Sequence, residues 1–361
     1  MLADGVDLAP ALTRLYGNNQ RYRIHKLKGD ASTRSYFRVH VEAAKLAPGL
    51  PVSVIAMRLP EDALGSDERA GGETPTELPF VDVQRMLARR GVPVPRIYVD
   101  DTPGRVVLLE DLGDETFEQR LLGTPRARFG ELYGQAVDLL AHMHRACARG
   151  ESGESIAFRR RFDRGLLRWE LDHFRQYGLE ALAGPLPPDD SAALERELDA
   201  LADEVAALAL GFVHRDYQSR NLMWAGGRLT VIDFQDALRG PAVYDLVALL
   251  CDSYVELDPS LQDAMVARYA QSMGMDAAGE SSLRRAFFCT AAQRKLKDAG
   301  RFVFIDRVRG NPGFLRWFPQ SLRYAGRGLR TSGYHDLDAI IARHLPGYPD
   351  AVPIPAAVSA G

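Results

Sequence analysis

Three polar side chains near the middle of the sequence have the types and spacing that phosphoryl transfer from a nucleotide requires. Asp216 follows the apolar run 210–213, Asn221 comes shortly after it, and Asp233 ends the apolar run 229–232. One carboxylate can orient an attacking hydroxyl and accept its proton, while an amide oxygen and a second carboxylate can hold Mg²⁺ against the phosphates. We therefore take Asp216 as the candidate catalytic base, Asn221 and Asp233 as candidate metal ligands, and ATP and Mg²⁺ as the cofactors.

A β-hairpin would bring these side chains to one place. Residues 222–224 and 229–232 are apolar and flank an Ala-Gly-Gly turn, which is typical of two antiparallel strands. Such a hairpin places Asn221 and Asp233 at the same end, next to the loop that carries Asp216. A lone aspartate after a strand is more often a cap or a turn residue, but three ordered polar residues around one hairpin are a more specific signal.

The residues after Asp233 indicate which kind of kinase this is. Protein kinases have Asp-Phe-Gly here, followed by a long activation segment that ends in Ala-Pro-Glu. In this chain Asp-Phe is followed by Gln-Asp, and a helix is predicted at residues 244–251, which leaves no room for that segment. A docking platform for a peptide is therefore missing, which favours a small-molecule substrate. Arg215, which would bind a phosphosite in a protein kinase, is predicted to form a structural ion pair.

The stretches HRDYQSRNLM and VIDFQDALRGPAVYDLVALL resemble the aminoglycoside phosphotransferase and choline kinase superfamily, in particular its anomeric N-acetylmuramate and N-acetylglucosamine kinases. Four further stretches match in the same order, namely GDASTRSYFRV, GVPVPRIY, LLEDLGDETF and QRKLKDAGRF. The resemblance thus covers nearly the whole chain. It implies an α+β, two-lobed, protein-kinase-like fold with a small antiparallel-sheet N-terminal lobe and a mainly helical C-terminal lobe.

The predicted elements divide the chain in the same way. Strand-like and helical patterns in the first third are expected at residues 25–28, 36–41, 52–59, 78–90 and 106–109. They predict a nucleotide-binding lobe over residues 1–111. Residues 112–345 are predicted to form a helical lobe with the catalytic loop and the substrate site. Residues 346–361 are rich in Pro and Ala and are predicted to form a flexible tail.

The candidate phosphate-binding residues lie in the N-terminal lobe. The polar turn 29–33 would cover the phosphates in a kinase, with Ser32, Thr33 and Arg34 as donors, although without the catalytic loop an ordinary turn would be the better interpretation. The third strand lacks the usual lysine. Arg58 is the candidate substitute, and an exposed strand-end charge is an equal alternative.

Two further expectations concern the nucleotide. Glu77, at the start of the helix predicted at residues 78–90, is a possible partner of Arg58 or a favourable charge at the helix N-terminus. The resemblance also implies a hinge between the lobes, where backbone groups of Glu110 and Leu112 would meet the adenine.

The resemblance gives four candidate substrate residues. Trp169 and Glu170 lie on a helix predicted at residues 162–177, and they could supply an aromatic platform and a carboxylate for a sugar. Arg294 and Lys297 belong to a basic run that would usually be a solvated helix face, but either could pair with the lactyl carboxylate of N-acetylmuramate. The resemblance also implies that Asp245, at the start of an apolar helix, braces the catalytic loop.

Composition restricts the possible partners. The formal net charge of −3 shows no basic excess, so neither nucleic acid nor an anionic membrane is expected as a partner. No apolar run reaches the length of a transmembrane helix, and the first residues lack the basic region of a signal peptide. The three cysteines have no metal-ligand spacing and are interpreted as reduced, buried thiols, so a cytoplasmic protein is expected. The sequence leaves the oligomeric state open.

These observations predict an ATP-dependent kinase that phosphorylates a hydroxyl, expected to be anomeric, of an amino sugar such as N-acetylmuramate, N-acetylglucosamine or glucosamine. One alternative is an aminoglycoside or other small-alcohol phosphotransferase, but a polycationic substrate fits the basic run 294–297 poorly. A second alternative is a nucleotide-binding regulatory protein without turnover, which the missing lysine suggests. A role in cell-wall recycling follows from the resemblance alone. The sugar, its anomer and the choice between ATP and GTP are left open.

Overall fold

A five-stranded antiparallel sheet forms the N-terminal lobe. We describe it from a computed structural model that covers residues 2–3, 6–27, 34–42, 46–61, 75 and 77–357. The elements of this lobe are β1 (Leu2–Ala3), β2 (Val6–Asp7), α1 (Ala9–Tyr16), β3 (Tyr22–Lys26), β4 (Ser35–Val41), β5 (Ser53–Arg58), α2 (Pro79–Arg89), β6 (Ile97–Asp101) and β7 (Val106–Glu110). The strand order in the sheet is β3-β4-β5-β7-β6, so the chain crosses over between β5 and β6, where α2 lies.

Alternating side chains bury both faces of this sheet. Val39, Val54 and Leu108 pack with α1 on one face, while Met57 and Val107 pack with α2 on the other. This period of two is what a strand requires when both of its faces are covered. Strand β6 was not predicted, because its sequence IYVDD contains two charged residues that stand at the sheet edge.

Helices make up most of the C-terminal lobe. They are α3 (Phe117–Leu122), α4 (Phe129–Cys147), α5 (Arg164–His173), α6 (Ala181–Ala183), α7 (Pro188–Ala206), α8 (Val243–Leu250), α9 (Pro259–Ser272), α10 (Ala277–Arg309), α11 (Phe318–Ser332) and α12 (His335–His344). A π-helix, Phe174–Glu180, follows α5 directly. Within the described residues, no helix is both long enough and apolar enough to cross a membrane.

Two short strand pairs carry the central polar residues. Strand β8 (Leu210–Val213) pairs with β11 (Leu238–Pro241), and β9 (Leu222–Ala225) pairs with β10 (Arg228–Val231). The turn between β9 and β10 places Gly226 at φ +57° and Gly227 at φ +78°, which glycine adopts without steric cost. The predicted hairpin is therefore confirmed.

The sequence pattern predicts a helix over residues 283–299, and α10 is much longer than this span. It runs for 33 residues, from a first turn capped by the Asp276 side chain to Gly310 in the left-handed conformation. These capping residues are the sequence signals that the periodicity missed. The basic run is not the solvated face that such a run usually forms, because Arg294 and Lys295 are buried.

Part of the predicted flexible tail is packed against the helices. The Tyr348 hydroxyl donates a hydrogen bond to Asp338, 2.8 Å away, and Val352 is buried in the core of the C-terminal lobe. Gly326 of α11 leaves the space that Pro349 occupies, since a Cβ there would lie 2.8 Å from the proline ring. The tail therefore belongs to the lobe at least to Val352.

A glycine contact brings α10 against the end of α5. A Cβ at Gly300 would lie 2.5 Å from the carbonyl of His173, which is closer than real Cβ atoms approach. On the facing π-helix, a Cβ at Gly178 would lie 3.3 Å from the Cα of Gly300. This close crossing positions side chains of α5 and α10 on two sides of the same cavity.

Candidate functional site

Asp245 braces the start of the catalytic loop, as expected. Its fully buried carboxylate accepts hydrogen bonds from the backbone N–H groups of His214 (2.7 Å) and Arg215 (2.9 Å). The ring of His144 lies 3.2 Å from the same carboxylate. Arg215 has φ +81°, an unusual conformation for a non-glycine residue, which these bonds help to hold.

We expect Asp245→Ala to destabilise the protein strongly. The substitution leaves two buried N–H groups without an acceptor, and each costs about 1–3 kcal/mol, so the free energy of unfolding should fall by about 2–6 kcal/mol. Urea denaturation would measure this change. Asp258 is a matched control, because it is exposed at the start of α9 and its side chain makes no capping hydrogen bond. An Asp245→Ala protein as stable as the Asp258→Ala control would contradict the role of Asp245.

The other end of the catalytic loop has two anchors that the sequence analysis did not identify. The backbone N–H and the hydroxyl of Ser219 donate to Asp252, at 2.8 and 2.5 Å. Arg220 forms two hydrogen bonds with Glu118 of α3, at 2.8 and 3.0 Å. Asp252 lies just after the end of α8, the helix that carries Asp245, so both ends of this helix supply a carboxylate to the loop.

The three predicted catalytic residues lie together. The Nδ2 of Asn221 donates to the backbone oxygen of Asp216 (2.9 Å) and to the Oδ2 of Asp233 (3.2 Å). Gln235 donates to the other carboxylate oxygen of Asp233, at 2.8 Å. Asp233 has φ +63°, so its backbone turns sharply where β10 has ended. The hairpin thus presents Asn221 and Asp233 side by side, next to Asp216.

The two carboxylates have opposite pKa shifts. Burial would raise the pKa of Asp216, but the positive charges of Arg294, Lys297 and Arg215 outweigh it and hold this pKa below the usual range. Asp233 faces the cleft and is crowded by protein on its other sides, which raises its pKa. The hydrogen bond from Gln235 opposes this rise, and the charge of Asp216 adds to it. Asp216 is therefore the carboxylate already balanced by cations within the protein.

Asn221 and Asp233 fit a metal that is shared with phosphates. In the part of the chain that is described, no three His, Cys, Asp or Glu side chains are grouped to hold a metal by themselves. Mg²⁺ at nucleotide sites takes one or two carboxylates and completes its shell with phosphate oxygens and water. Among the described residues, the carboxylate of Asp233 forms no ion pair, and the Oδ1 of Asn221 accepts no hydrogen bond.

The predicted phosphate-binding residues are only partly described. Ser32 and Thr33 lie outside the described residues. Arg34 interacts with the hydroxyl of Tyr36 on β4, and Asp233 is close enough to influence the pKa of that hydroxyl, so Arg34 lies near the metal ligands. Arg58 ends β5, and its buried Nε has no hydrogen-bond partner among the described residues.

The predicted pairing of Glu77 with Arg58 is wrong. Glu77 instead contacts Arg85, which lies two turns along α2 and also donates to Asp100, at 2.9 Å. Glu77 lies just before α2, and its carboxylate turns toward this helix rather than toward β5. This leaves the guanidinium of Arg58 without the carboxylate that the sequence suggested.

The predicted hinge follows β7. The N–H of Glu110 donates to the carbonyl of Arg96 on the β6 side, at 2.8 Å, while the N–H of Leu112 has no acceptor among the described residues. Arg38 ties β4 to this segment, with hydrogen bonds to Gly113 and ion pairs to Asp111 (2.9 Å) and Asp114. The free N–H of Leu112 fits the predicted contact with an adenine edge.

All four predicted substrate residues line one cavity together with Asp216. This cavity has a volume of about 180 Å³ and lies between α5, α10 and the catalytic loop. Its lining comprises Trp169, Glu170, His173, Arg215, Asp216, Gln218, Ser253, Tyr254, Arg294, Lys297, Asp298, Arg301, Phe302, Ile305 and Phe314. The aromatic rings and charged groups in this lining suit a small polar ligand that also has apolar faces.

The four residues differ in what they have available for a ligand. Trp169 is 41% exposed and can stack on a ligand. Glu170 is buried and forms the structural ion pair expected of Arg215, at 3.3 Å, so it supports the site from below. Arg294 is bound to Asp216, at 3.1 Å. Lys297 lies 3.2 Å from Asp298, a residue that the sequence analysis missed, as it missed Arg301 one turn after Lys297.

Comparisons with known proteins agree with this geometry. A sequence model of the phosphotransferase enzyme family matches residues 23–284. The N-acetylmuramate/N-acetylglucosamine kinase of Pseudomonas aeruginosa is 33% identical over 252 residues, which are 68% of this chain and 71% of that protein. The kinase of the same name from Neisseria meningitidis serogroup B is 30% identical over 307 residues, which are 83% of this chain and 84% of that protein.

The fold has solved relatives at lower identity. A choline/ethanolamine kinase family protein from Mesorhizobium loti has a TM-score of 0.56 and 15% identity, and the match covers 93% of this chain and 99% of that one. The predicted two-lobed α+β fold is thereby confirmed. With the family model matching well over half of its length, this chain belongs to the phosphotransferase enzyme family.

Proposed function

We propose that this protein is an ATP-dependent kinase that transfers the γ-phosphoryl group to a hydroxyl, expected to be anomeric, of an amino sugar. The observation that carries the proposal is the position of Asp216, which lines the cavity while its backbone oxygen is bonded to Asn221, beside Asp233. An acceptor in the cavity would therefore meet a phosphoryl group held over Asn221 and Asp233. Residues 1–111 would bind the nucleotide, and residues 112–345 would carry the acceptor.

The residues of the chain would have separate tasks in the transfer. The acceptor oxygen bonds to the γ-phosphorus as the bond from that phosphorus to the β-γ bridging oxygen breaks, and ADP leaves. The acceptor proton passes to Asp216, whose lowered pKa keeps it ionised at neutral pH. Asn221 and Asp233 would hold Mg²⁺, which neutralises the phosphate charge when bound. Arg34, Arg58, Glu110 and Leu112 would position the nucleotide.

The relatives' names and the charges of the cavity support an amino sugar as the acceptor. Lys295 and Lys297 share Asp298, at 2.8 and 3.2 Å, which leaves one positive charge in excess within this group, and Arg301 also lines the cavity. This side of the cavity can bind the carboxylate of N-acetylmuramate, and it opposes a polycationic aminoglycoside. A cytoplasmic role in cell-wall recycling would fit such substrates.

The test is ATP consumption with a panel of acceptors, followed by phosphorus NMR of the product. The panel contains N-acetylmuramate, N-acetylglucosamine, glucosamine, glucose, an aminoglycoside and choline. We expect an anomeric phosphate from one or more of the amino sugars. A phosphate ester of the aminoglycoside alone would contradict the proposed acceptor. Magnesium-dependent ATP binding without turnover of any acceptor would favour the regulatory alternative.

Replacing Lys297 tests whether this residue binds the carboxylate of N-acetylmuramate. A hydrogen bond to a charged group contributes about 1.5–3 kcal/mol, so Lys297→Met should raise the KM for N-acetylmuramate by at least about 10-fold. N-acetylglucosamine lacks the carboxylate and is the matched control acceptor, and its KM should stay unchanged. Steady-state kinetics with both sugars would measure the difference. An equal effect on both would show that Lys297 does not recognise the carboxylate.

A further inference from the structure

A buried arginine of α10, far from the catalytic loop in sequence, forms a hydrogen bond with the candidate base. Arg294 of α10 donates from one guanidinium nitrogen to the carboxylate oxygen Oδ1 of Asp216 (3.1 Å) and from the other to the backbone oxygen of Arg215 (2.8 Å). The Arg294 side chain is only 3% exposed, whereas that of Asp216 is 38% exposed. The guanidinium therefore lies beneath the carboxylate, and the carboxylate lies at the cavity surface.

Rigid neighbours hold the guanidinium in this place. Its central carbon lies 4.7 Å from the centre of the Tyr244 ring, in the geometry of a cation–π contact. The Tyr244 hydroxyl donates to Glu170 (3.4 Å), which also accepts from Gln293 (3.1 Å) and pairs with Arg215. These contacts form a closed network under the catalytic loop, so Arg294 has little freedom to turn toward a ligand.

Within the described part of the chain, one oxygen of the Asp216 carboxylate accepts a hydrogen bond and the other accepts none. Oδ1 accepts from Arg294, while Oδ2 has no hydrogen-bond partner among the described residues. A carboxylate with one oxygen fixed has a fixed rotation about its terminal torsion, which is otherwise broad. Oδ2 is then the oxygen available to an acceptor in the cavity.

We propose that Arg294 is a positioning residue, which fixes the rotation of Asp216 so that Oδ2 faces the acceptor hydroxyl. This inference rests on the proposed function, and it replaces the sequence-based assignment of Arg294 to a substrate carboxylate. The guanidinium suits this role, because its planar fork holds two donors at a fixed separation, one for the side-chain oxygen and one for the backbone oxygen, whereas the ammonium of lysine is a point charge on a flexible stem. Arg294 thereby couples α10 to the loop that carries the base.

The test compares Arg294→Gln and Arg294→Lys with Arg284→Gln. Arg284 lies on the same helix, away from the cavity, and pairs with Glu280. A misplaced catalytic group costs about 10²-fold in rate, so both Arg294 variants should lose about that factor in kcat while the KM values for the sugar and ATP stay unchanged. The Arg284→Gln control should keep its kcat. A raised sugar KM with an unchanged kcat would overturn the proposal and make Arg294 a substrate contact.

A rescue experiment covers the case in which these variants lose activity through misfolding. Arg294→Ala leaves a space for guanidinium ion, and added guanidinium should restore part of kcat, whereas ammonium should not. Restoration by neither ion, in an Arg294→Ala protein whose thermal unfolding matches that of the wild type, would overturn the positioning role. The rate of ATP hydrolysis, in which water is the acceptor, is measured for Arg294→Ala with and without the same two ions. Failure of the wild type to phosphorylate any sugar would contradict the proposed function, while hydrolysis still reports on Arg294.

Discussion

Asp216→Asn is expected to lower kcat by about 10²–10⁴-fold, which is the usual contribution of a general base. The substitution is close to isosteric, and the asparagine oxygen can still accept the hydrogen bond from Arg294, so the local geometry should persist. What is lost is the ability to accept the acceptor's proton. ATP binding should survive, because Asn221 and Asp233 keep their side chains. Steady-state kinetics and calorimetric titration with ATP would measure the two effects separately.

Asp138→Asn is the matched control for this prediction. Asp138 also pairs with an arginine, Arg268, at 2.6 Å, but the pair is on the surface and away from the cavity. Its replacement should leave kcat unchanged. An Asp216→Asn enzyme with full kcat would exclude Asp216 as the base. A parallel loss of ATP binding would point to damage of the cleft instead.

The sequence was sufficient for the catalytic hairpin because its signals are local. The Gly-Gly turn, the two apolar strands and the polar residues beside them are close together in the sequence. In the structure, the Nδ2 of Asn221 lies 3.2 Å from the Oδ2 of Asp233, as the hairpin predicts. The brace by Asp245 was expected from the resemblance instead, because its contacts with His214 and Arg215 span 31 and 30 residues. The contacts within the hairpin join neighbours in the sequence. Local chain geometry determines such contacts, and local patterns therefore reveal them.

The contacts that complete the site are long-range, and no local pattern encodes them. Arg294 meets Asp216 across 78 residues, and Arg220 meets Glu118 across 102. The basic run on α10 looked like a solvated face because periodicity cannot distinguish a charge that is paired inside from one that is hydrated outside. The role of Gly300 was also not predicted. Its need for glycine comes from the close approach of His173, which lies on another helix and is distant in the sequence.

The second large effect is expected from Asp233→Ala, which should abolish the dependence of ATP binding on Mg²⁺. Mg²⁺ gives up its water reluctantly and needs a charged oxygen ligand to bind between protein and phosphates. Without Asp233, the neutral amide of Asn221 is the only remaining predicted ligand. The variant should therefore bind ATP equally with and without Mg²⁺, and its kcat should be lost as well. Calorimetric titration at both metal conditions would show this.

Asp203→Ala is the control. Asp203 lies on α7, away from the cleft, where it is exposed and pairs with Arg164 of α5. This control should retain the full effect of Mg²⁺ on ATP affinity. Thermal unfolding of both variants would separate a lost metal from a lost fold. An Asp233→Ala protein that binds ATP more tightly when Mg²⁺ is added would assign the metal to other residues. With Asp216→Asn keeping metal-dependent binding and Asp233→Ala losing it, the two aspartates would have separable roles in proton acceptance and metal binding.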